Sequence, residues 1–241
     1  LQAKAVPHAF FEQVEKYRER VALRHKQYGI WNKVTWGQYG DQVRQTAAAI
    51  LSLGLPRAQT VCILGDNRPE WLICHMAVMT AGMRTCGIYP TSSSDEIRYI
   101  IDHSEARLLF VENEEQLDKI LDILPDLRLE QIVVWDEKGL WGYTHPKVVF
   151  FSEFVRRAEA FLETHAQAVD GSLAAIDVEQ TAMVIYTSGT TGRPKGALLS
   201  HRNISMVTQA FLEIIPVSER DEVVSYLPLA HIYENLVSVF M

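Results

Sequence analysis

From Thr60 onward, short apolar runs of four to six residues alternate with stretches of helical pattern, and this restricts the chain to few architectures. Val61–Leu64, Thr85–Tyr89, Leu108–Val111, Ile132–Trp135, Val148–Phe151 and Thr181–Tyr186 are nearly unbroken apolar segments, rich in β-branched residues. A strand wetted on one face alternates apolar with polar, so unbroken runs indicate strands covered on both faces. Between them, Asp66 or Asn67 is expected to cap a helix with Pro69 in its first turn, running through Trp71, Ile73 and Met76 to about Ala81. Ser94–Asp102 places Ile97, Ile100 and Ile101 on one helical side, Glu114–Leu124 is stopped by Pro125, and Phe154–Ala168 is a further helix. Strand–helix alternation implies an α/β fold, with a mainly parallel sheet flanked by helices.

Before this region, Phe10, Phe11, Val14 and Tyr17 recur at helical spacing, and Val21–Arg24 and Trp31–Trp36 read as strands around a Tyr28–Gly29 turn. Thr35 is expected to cap the next helix, which Gly54 ends. Asp136–Pro146 reads as a surface excursion and Asp170–Gly171 as a joint. Near the end, a helix carries Ile204, Val207, Phe211 and Ile214, Val223–Leu227 reads as a strand, and LPLAHIYEN (227–235) opens a final helix.

The segment Thr187–Gly196 contains three glycines, four hydroxyls (Thr187, Ser188, Thr190, Thr191), Pro194 and Lys195. Apolar Ala197–Leu199 follows and Ser200 reads as a helix cap, so the loop joins strand to strand. Gly189, Gly192 and Gly196 allow backbone N–H groups to converge on an anion, and Lys195 adds a positive charge. This is not the Walker loop, because Arg193 and Pro194 separate Gly192 from Lys195 and a glycine follows the lysine. By composition alone, an ordinary polar hairpin competes with a polyphosphate site.

With 241 residues, 48% of them apolar, the chain can bury a substantial core. A net charge of −7 without a basic run argues against a nucleic-acid surface. Cys62, Cys74 and Cys86 each sit in apolar segments, which indicates buried thiols in a reducing compartment and not a metal site. No secretory signal pattern is present and no apolar run approaches the ~20 residues of a membrane span, so a cytoplasmic location is expected.

YTSGTTGRPKG (186–196) resembles, nearly letter for letter, the phosphate loop of adenylate-forming (AMP-binding) enzymes. NRPEW (67–71), the segment 87–119 and LPLAHIYEN are similar to bacterial long-chain fatty acyl-CoA synthetases, and the resemblance runs from about Phe10 to the last residue. It implies ATP, Mg²⁺ and coenzyme A as reaction partners and a fatty acid as substrate. A fatty carboxylate would attack ATP to give acyl-adenylate and pyrophosphate, and the thiol of coenzyme A would then displace AMP. Thr187, Ser188, Gly189, Thr190, Thr191, Gly192 and Lys195 would hold the β- and γ-phosphates, and His231 would stand beside the acyl-adenylate. Lys195 and His231 are the catalytic candidates, and no metal ligand is assigned.

By the same resemblance, the Mg²⁺-binding Thr-Glu pair, the ribose-binding aspartate and the C-terminal domain with its catalytic lysine lie beyond this sequence. The chain therefore reads as an N-terminal fragment. Residues 1–54 and 217–241 are expected to belong to one incomplete subdomain, and 55–216 to a nearly complete one. Such a fragment is expected to self-associate, or to leave its first fifty and final twenty residues poorly ordered. The resemblance leaves room for peripheral membrane contact of the parent enzyme. The alternatives are an acyl-AMP ligase that delivers to a carrier protein and a non-catalytic nucleotide-binding module; a phosphotransferase is opposed by the lack of a kinase or Walker pattern. His75, His103 and Tyr186 read as structural, and Asp66, Asn67 and Glu70 as cap and dipole residues.

Overall fold

The computed structural model describes residues 3–187 and 192–240. Helix α1 (Val6–Lys16) precedes a hairpin of β1 (Val21–Gln27) and β2 (Ile30–Thr35), which pair only with each other. Thr35 then caps α2 (Trp36–Ser52): its Oγ1 accepts the Gln38 N–H at 3.2 Å, while Gln38 Oε1 accepts the Thr35 N–H at 2.9 Å.

The alternating region follows as β3 (Thr60–Leu64), α3 (Pro69–Thr80), β4 (Arg84–Ile88), α4 (Ser94–His103), β5 (Leu108–Val111), α5 (Glu114–Leu121), β6 (Gln131–Val134) and β7 (Val148–Phe150). After α6 (Phe151–Thr164) and α7 (Ala168–Ala174), the chain returns as β8 (Thr181–Thr187), β9 (Lys195–Ser200) and α8 (His201–Ile214), then ends in α9 (Ile232–Asn235) and a π-helical turn, Leu236–Phe240. Seven strands form one sheet in the order β7-β6-β5-β3-β4-β8-β9. All neighbours are parallel except β8 and β9. This is the mainly parallel, helix-flanked sheet that the alternation predicts.

Successive side chains of a strand point to opposite faces, and here both faces are dry. Val61, Ile63, Leu108, Phe110 and Val133 pack into one core with α1, α2, α3 and α6. Cys62, Leu64, Leu109, Val111, Ile132 and Val134 pack into the other with α4 and α5. Cys62, Cys74 and Cys86 are buried and unpaired.

Val6–Val14 and Val43–Ile50 share one buried cluster with the sheet. Several expectations need correction. The helix from Phe154 stops at Thr164, and Asp170–Gly171 lies inside α7, so it is not a joint. Residues 223–227 form no strand. Among the described residues no neighbouring strand pairs with them: Arg20, just before β1, and Arg24, within it, reach Glu219 and Glu222 through the arginine side chains, Arg20 also donating to the Glu219 carbonyl. Val223, Val224 and Tyr226 stay exposed. Finally, neither Asp66 nor Asn67 caps α3. Arg68 takes the N-cap position without a side-chain bond, and Pro69, which has no N–H to satisfy, follows it.

Candidate active site at the carboxyl edge of the sheet

Because β3 to β8 run parallel, their carboxyl ends share one edge, and the strand order reverses about β3. Crevices outside the carboxyl ends at such a reversal are where open α/β sheets take ligands. The expected loop emerges from the same edge, at the end of β8, with β4 between it and β3. Thr187 ends β8, Lys195 begins β9, and the two are cross-strand partners in an antiparallel pair. Both are exposed. The loop thus joins strand to strand, and its limbs begin side by side. Gly192 has φ +96°, a region closed to most side chains. Ser188, Gly189, Thr190 and Thr191 lie outside the described residues. Neither Arg193 nor Lys195 makes an ion pair among the described residues. Ser200 caps α8 through a reciprocal pair with Asn203, which fixes where β9 ends.

A second segment crosses the same edge. Asn67 Nδ2 donates to Ser225 Oγ at 2.8 Å and to the Leu227 carbonyl at 2.7 Å, while its Oδ1 accepts the Leu229 N–H at 2.9 Å. Asn235 Nδ2 holds the Leu229 carbonyl at 3.0 Å, and buried Glu234 accepts the Leu227 N–H at 3.3 Å. Asn67 therefore works as a tether, a role its position before Arg68-Pro69 did not reveal because helix capping explained it equally well. A Cβ on Gly87 would stand 2.8 Å from the Ala230 Cα, so the segment lies directly across β4. Gly87→Ala is expected to push it away and cost about 1–3 kcal/mol. A urea midpoint shift, with altered fluorescence from Trp71 (3.3 Å from the same position), checks this; an unchanged midpoint would show that the contact yields freely.

This segment delivers His231. Its Nδ1 accepts the Tyr233 N–H at 3.2 Å, so it caps α9, and that bond places the proton of a neutral ring on Nε2. The exposed ring can then offer Nε2–H as a donor. On the other side of the edge, Asp66 N–H binds Glu112 Oε2 at 2.7 Å. Arg68 stands 3.5 Å from Glu112 and 3.4 Å from Asp136, which fixes the turn from β3 into α3.

Two residues read as merely structural also touch the site. His103 Nδ1 meets the Tyr186 hydroxyl at 2.8 Å, and burial pushes that phenol up. The Tyr99–His103 spacing of four residues on α4 is the sequence signal that they share a face. Among the described residues, no three His, Cys, Asp or Glu side chains converge as a cation site.

The sequence profile described as "AMP-binding enzyme" matches residues 10–241. The chain belongs to the AMP-binding enzyme family. It is 35% identical over 246 residues to the long-chain-fatty-acid–CoA ligase ACSBG2 of Rattus norvegicus, covering 98% of this chain and 36% of that protein. It is also 35% identical over 228 residues to ACSBG1 of Homo sapiens, covering 92% and 31%. The chain thus spans about a third of the length of these relatives. Among solved structures, the long-chain-fatty-acid-CoA ligase FadD1 of Archaeoglobus fulgidus superposes with a TM-score of 0.77 at 18% identity, covering 100% of this chain and 46% of that one. A red-emitting luciferase of Phrixothrix hirtus superposes with a TM-score of 0.80 at 18% identity, covering 99% and 44%. At such identities these two establish the shared fold of AMP-binding enzymes and nothing finer.

Proposed function

We propose that this chain is the N-terminal portion of an ATP-dependent, AMP-forming long-chain fatty acid–CoA ligase. The observation that carries the reading is the β8–β9 hairpin. It puts the loop's described ends, Thr187 and Lys195, at the carboxyl edge of a parallel sheet, the edge that the tethered segment bearing His231 crosses over β4. The two limbs start as neighbours, so glycine amides, hydroxyls and Lys195 can surround one anion without bringing distant elements together.

In the first half-reaction, a carboxylate oxygen of the fatty acid attacks the α-phosphorus of ATP, and the bond to the bridging oxygen breaks to release pyrophosphate. Thr187, Ser188, Gly189, Thr190, Thr191, Gly192 and Lys195 hold the β- and γ-phosphates and neutralise the charge that grows on the leaving group. His231 presents Nε2–H toward the acyl-adenylate. In the second half, the sulfur of coenzyme A attacks the acyl carbon, and AMP leaves with the electron pair of the broken C–O bond. Mg²⁺ belongs to the expected reaction, but the described residues offer it no ligand set, so no step here passes through it. The buried, unpaired cysteines favour a reducing, cytoplasmic setting.

Product analysis tests the reading. A full-length protein carrying this chain is expected to form AMP and pyrophosphate when given ATP, a fatty acid from C8 to C18 (about the plausible range for this branch) and coenzyme A. ADP would indicate phosphotransfer and overturn it. The 241-residue chain alone is expected to show no turnover, and residual nucleotide affinity should be weak because one loop supplies only part of the binding energy.

A further inference from the structure

The phosphate loop leaves through β8 and returns through β9, and both limbs rest on one helix. Tyr99 and His103 stand four residues apart on α4 and therefore share a face. Tyr99 donates its hydroxyl to the Pro194 carbonyl at 2.9 Å, and the Arg193 guanidinium lies over the Tyr99 ring, 5.2 Å from its centre. These contacts hold the returning limb. The outgoing limb is held by the 2.8 Å bond between His103 Nδ1 and the Tyr186 hydroxyl, with the two rings edge to face at 5.7 Å. Tyr99 and Tyr186 also meet edge to face at 6.2 Å, so the two holds form one cluster. Gly196 pairs with Tyr186 across the hairpin, and a Cβ there would lie 3.3 Å from the Tyr186 ring.

We propose that Tyr99 and His103 are positioning residues for the phosphate loop: they fix its two described limbs, at Tyr186 and at Arg193–Pro194, so that Lys195 is in place before a polyphosphate arrives. This rests on the assignment of the loop to ATP. The physical reason is entropic. A loop rich in glycine loses much conformational freedom when it closes on an anion. Limbs already held in place reduce that loss, and preorganisation of this kind appears as affinity for the ligand the loop binds. The α4 contacts touch neither the segment bearing His231 nor its tether, so the effect is confined to the nucleotide.

Tyr99→Phe removes the hydroxyl bond to Pro194 and keeps the ring under Arg193, whereas His103→Phe removes the bond to Tyr186 and keeps an aromatic ring. In the full-length enzyme each variant is expected to raise the KM for ATP about fivefold, the worth of one net hydrogen bond, with the fatty acid KM unchanged. In the 241-residue chain without nucleotide, the amides of Gly196–Leu198 should exchange with solvent about fivefold faster, while those of β3 keep the parental rate. An unchanged ATP KM together with unchanged amide exchange would overturn the proposal and leave the enzymatic reading intact. An equal rise in KM for both substrates would reduce the cluster to ordinary packing and also overturn it. If unmodified full-length protein fails to exchange pyrophosphate into ATP, the enzymatic reading falls. The positioning role is then decided by amide exchange alone, and absence of acceleration rejects it.

Discussion

Lys195→Ala in the full-length enzyme is expected to slow fatty-acid-dependent exchange of pyrophosphate into ATP by ten- to over a hundredfold. Lys195 is exposed at the start of β9, directly across from Thr187, and has no acidic partner among the described residues. Its charge is therefore available to a polyphosphate. A charge-assisted contact of this kind is worth roughly 1.5–3 kcal/mol, which sets the size of the rate loss. Gly192→Val should do at least as much harm by another route. At φ +96° a β-branched residue is strongly strained, so the loop must rearrange before its amides can approach a phosphate. The two variants should part in a stability assay, where Lys195→Ala stays near the parental value. Parental exchange rates in both would remove the loop from the nucleotide site.

Acidification from pH 7 to pH 5 is expected to take about 4 kcal/mol from the stability of the chain, through two buried histidines. His75 is fully buried against Trp71, with ring centres 4.9 Å apart, and neither ring nitrogen has a hydrogen-bond partner among the described residues. Burial drives its pKa down to about 3. The Asn235 side chain opposes the shift in part, but its Nδ2 is already committed to the Leu229 carbonyl. His201, at the start of α8, accepts the Val6 N–H on Nδ1 and leaves Nε2 unpartnered. Burial, with the nearby His8, lowers it to about 4.

Both folded-state values lie below the unfolded value near 6.5, so the unfolded chain binds protons first as pH falls. The stability they contribute is complete above pH 6.5. It is lost down to about 4 for His201 and about 3 for His75, at roughly 1.4 kcal/mol per pH unit for each group. Urea unfolding at the two pH values measures the loss. His75→Phe keeps the ring stacked on Trp71 and removes one titrating group, so it should roughly halve the difference. A pH effect below about 1 kcal/mol, or one that His75→Phe leaves untouched, would mean that these rings are hydrated in the native state.

The strands and most helices were legible because each depends on local pattern. Unbroken apolar runs such as Val61–Leu64 specify dry strands, and Thr35, Ser93 and Ser200 cap helices through partners three residues away. That the segment 187–196 joins strand to strand was legible for the same reason, because apolar runs flank it on both sides. Misreadings arose where one residue type serves two purposes. Asn67 suits a helix cap, yet its amide fits a segment 158 to 162 residues away, and only the fold brings that segment within reach. Val223–Leu227 has strand composition, but a strand needs a neighbour's backbone, and composition does not supply one. The grouping of Tyr99, His103, Tyr186 and Arg193 likewise depends on α4 crossing the sheet beside β8, a distance of 83 residues between His103 and Tyr186. The sequence by itself determined most of the strands and helices, because hydrophobic period and capping act over a few residues. Tertiary structure alone decided what tethers His231, what braces the loop and which helices share the sheet's core, because those contacts join residues that only packing makes neighbours.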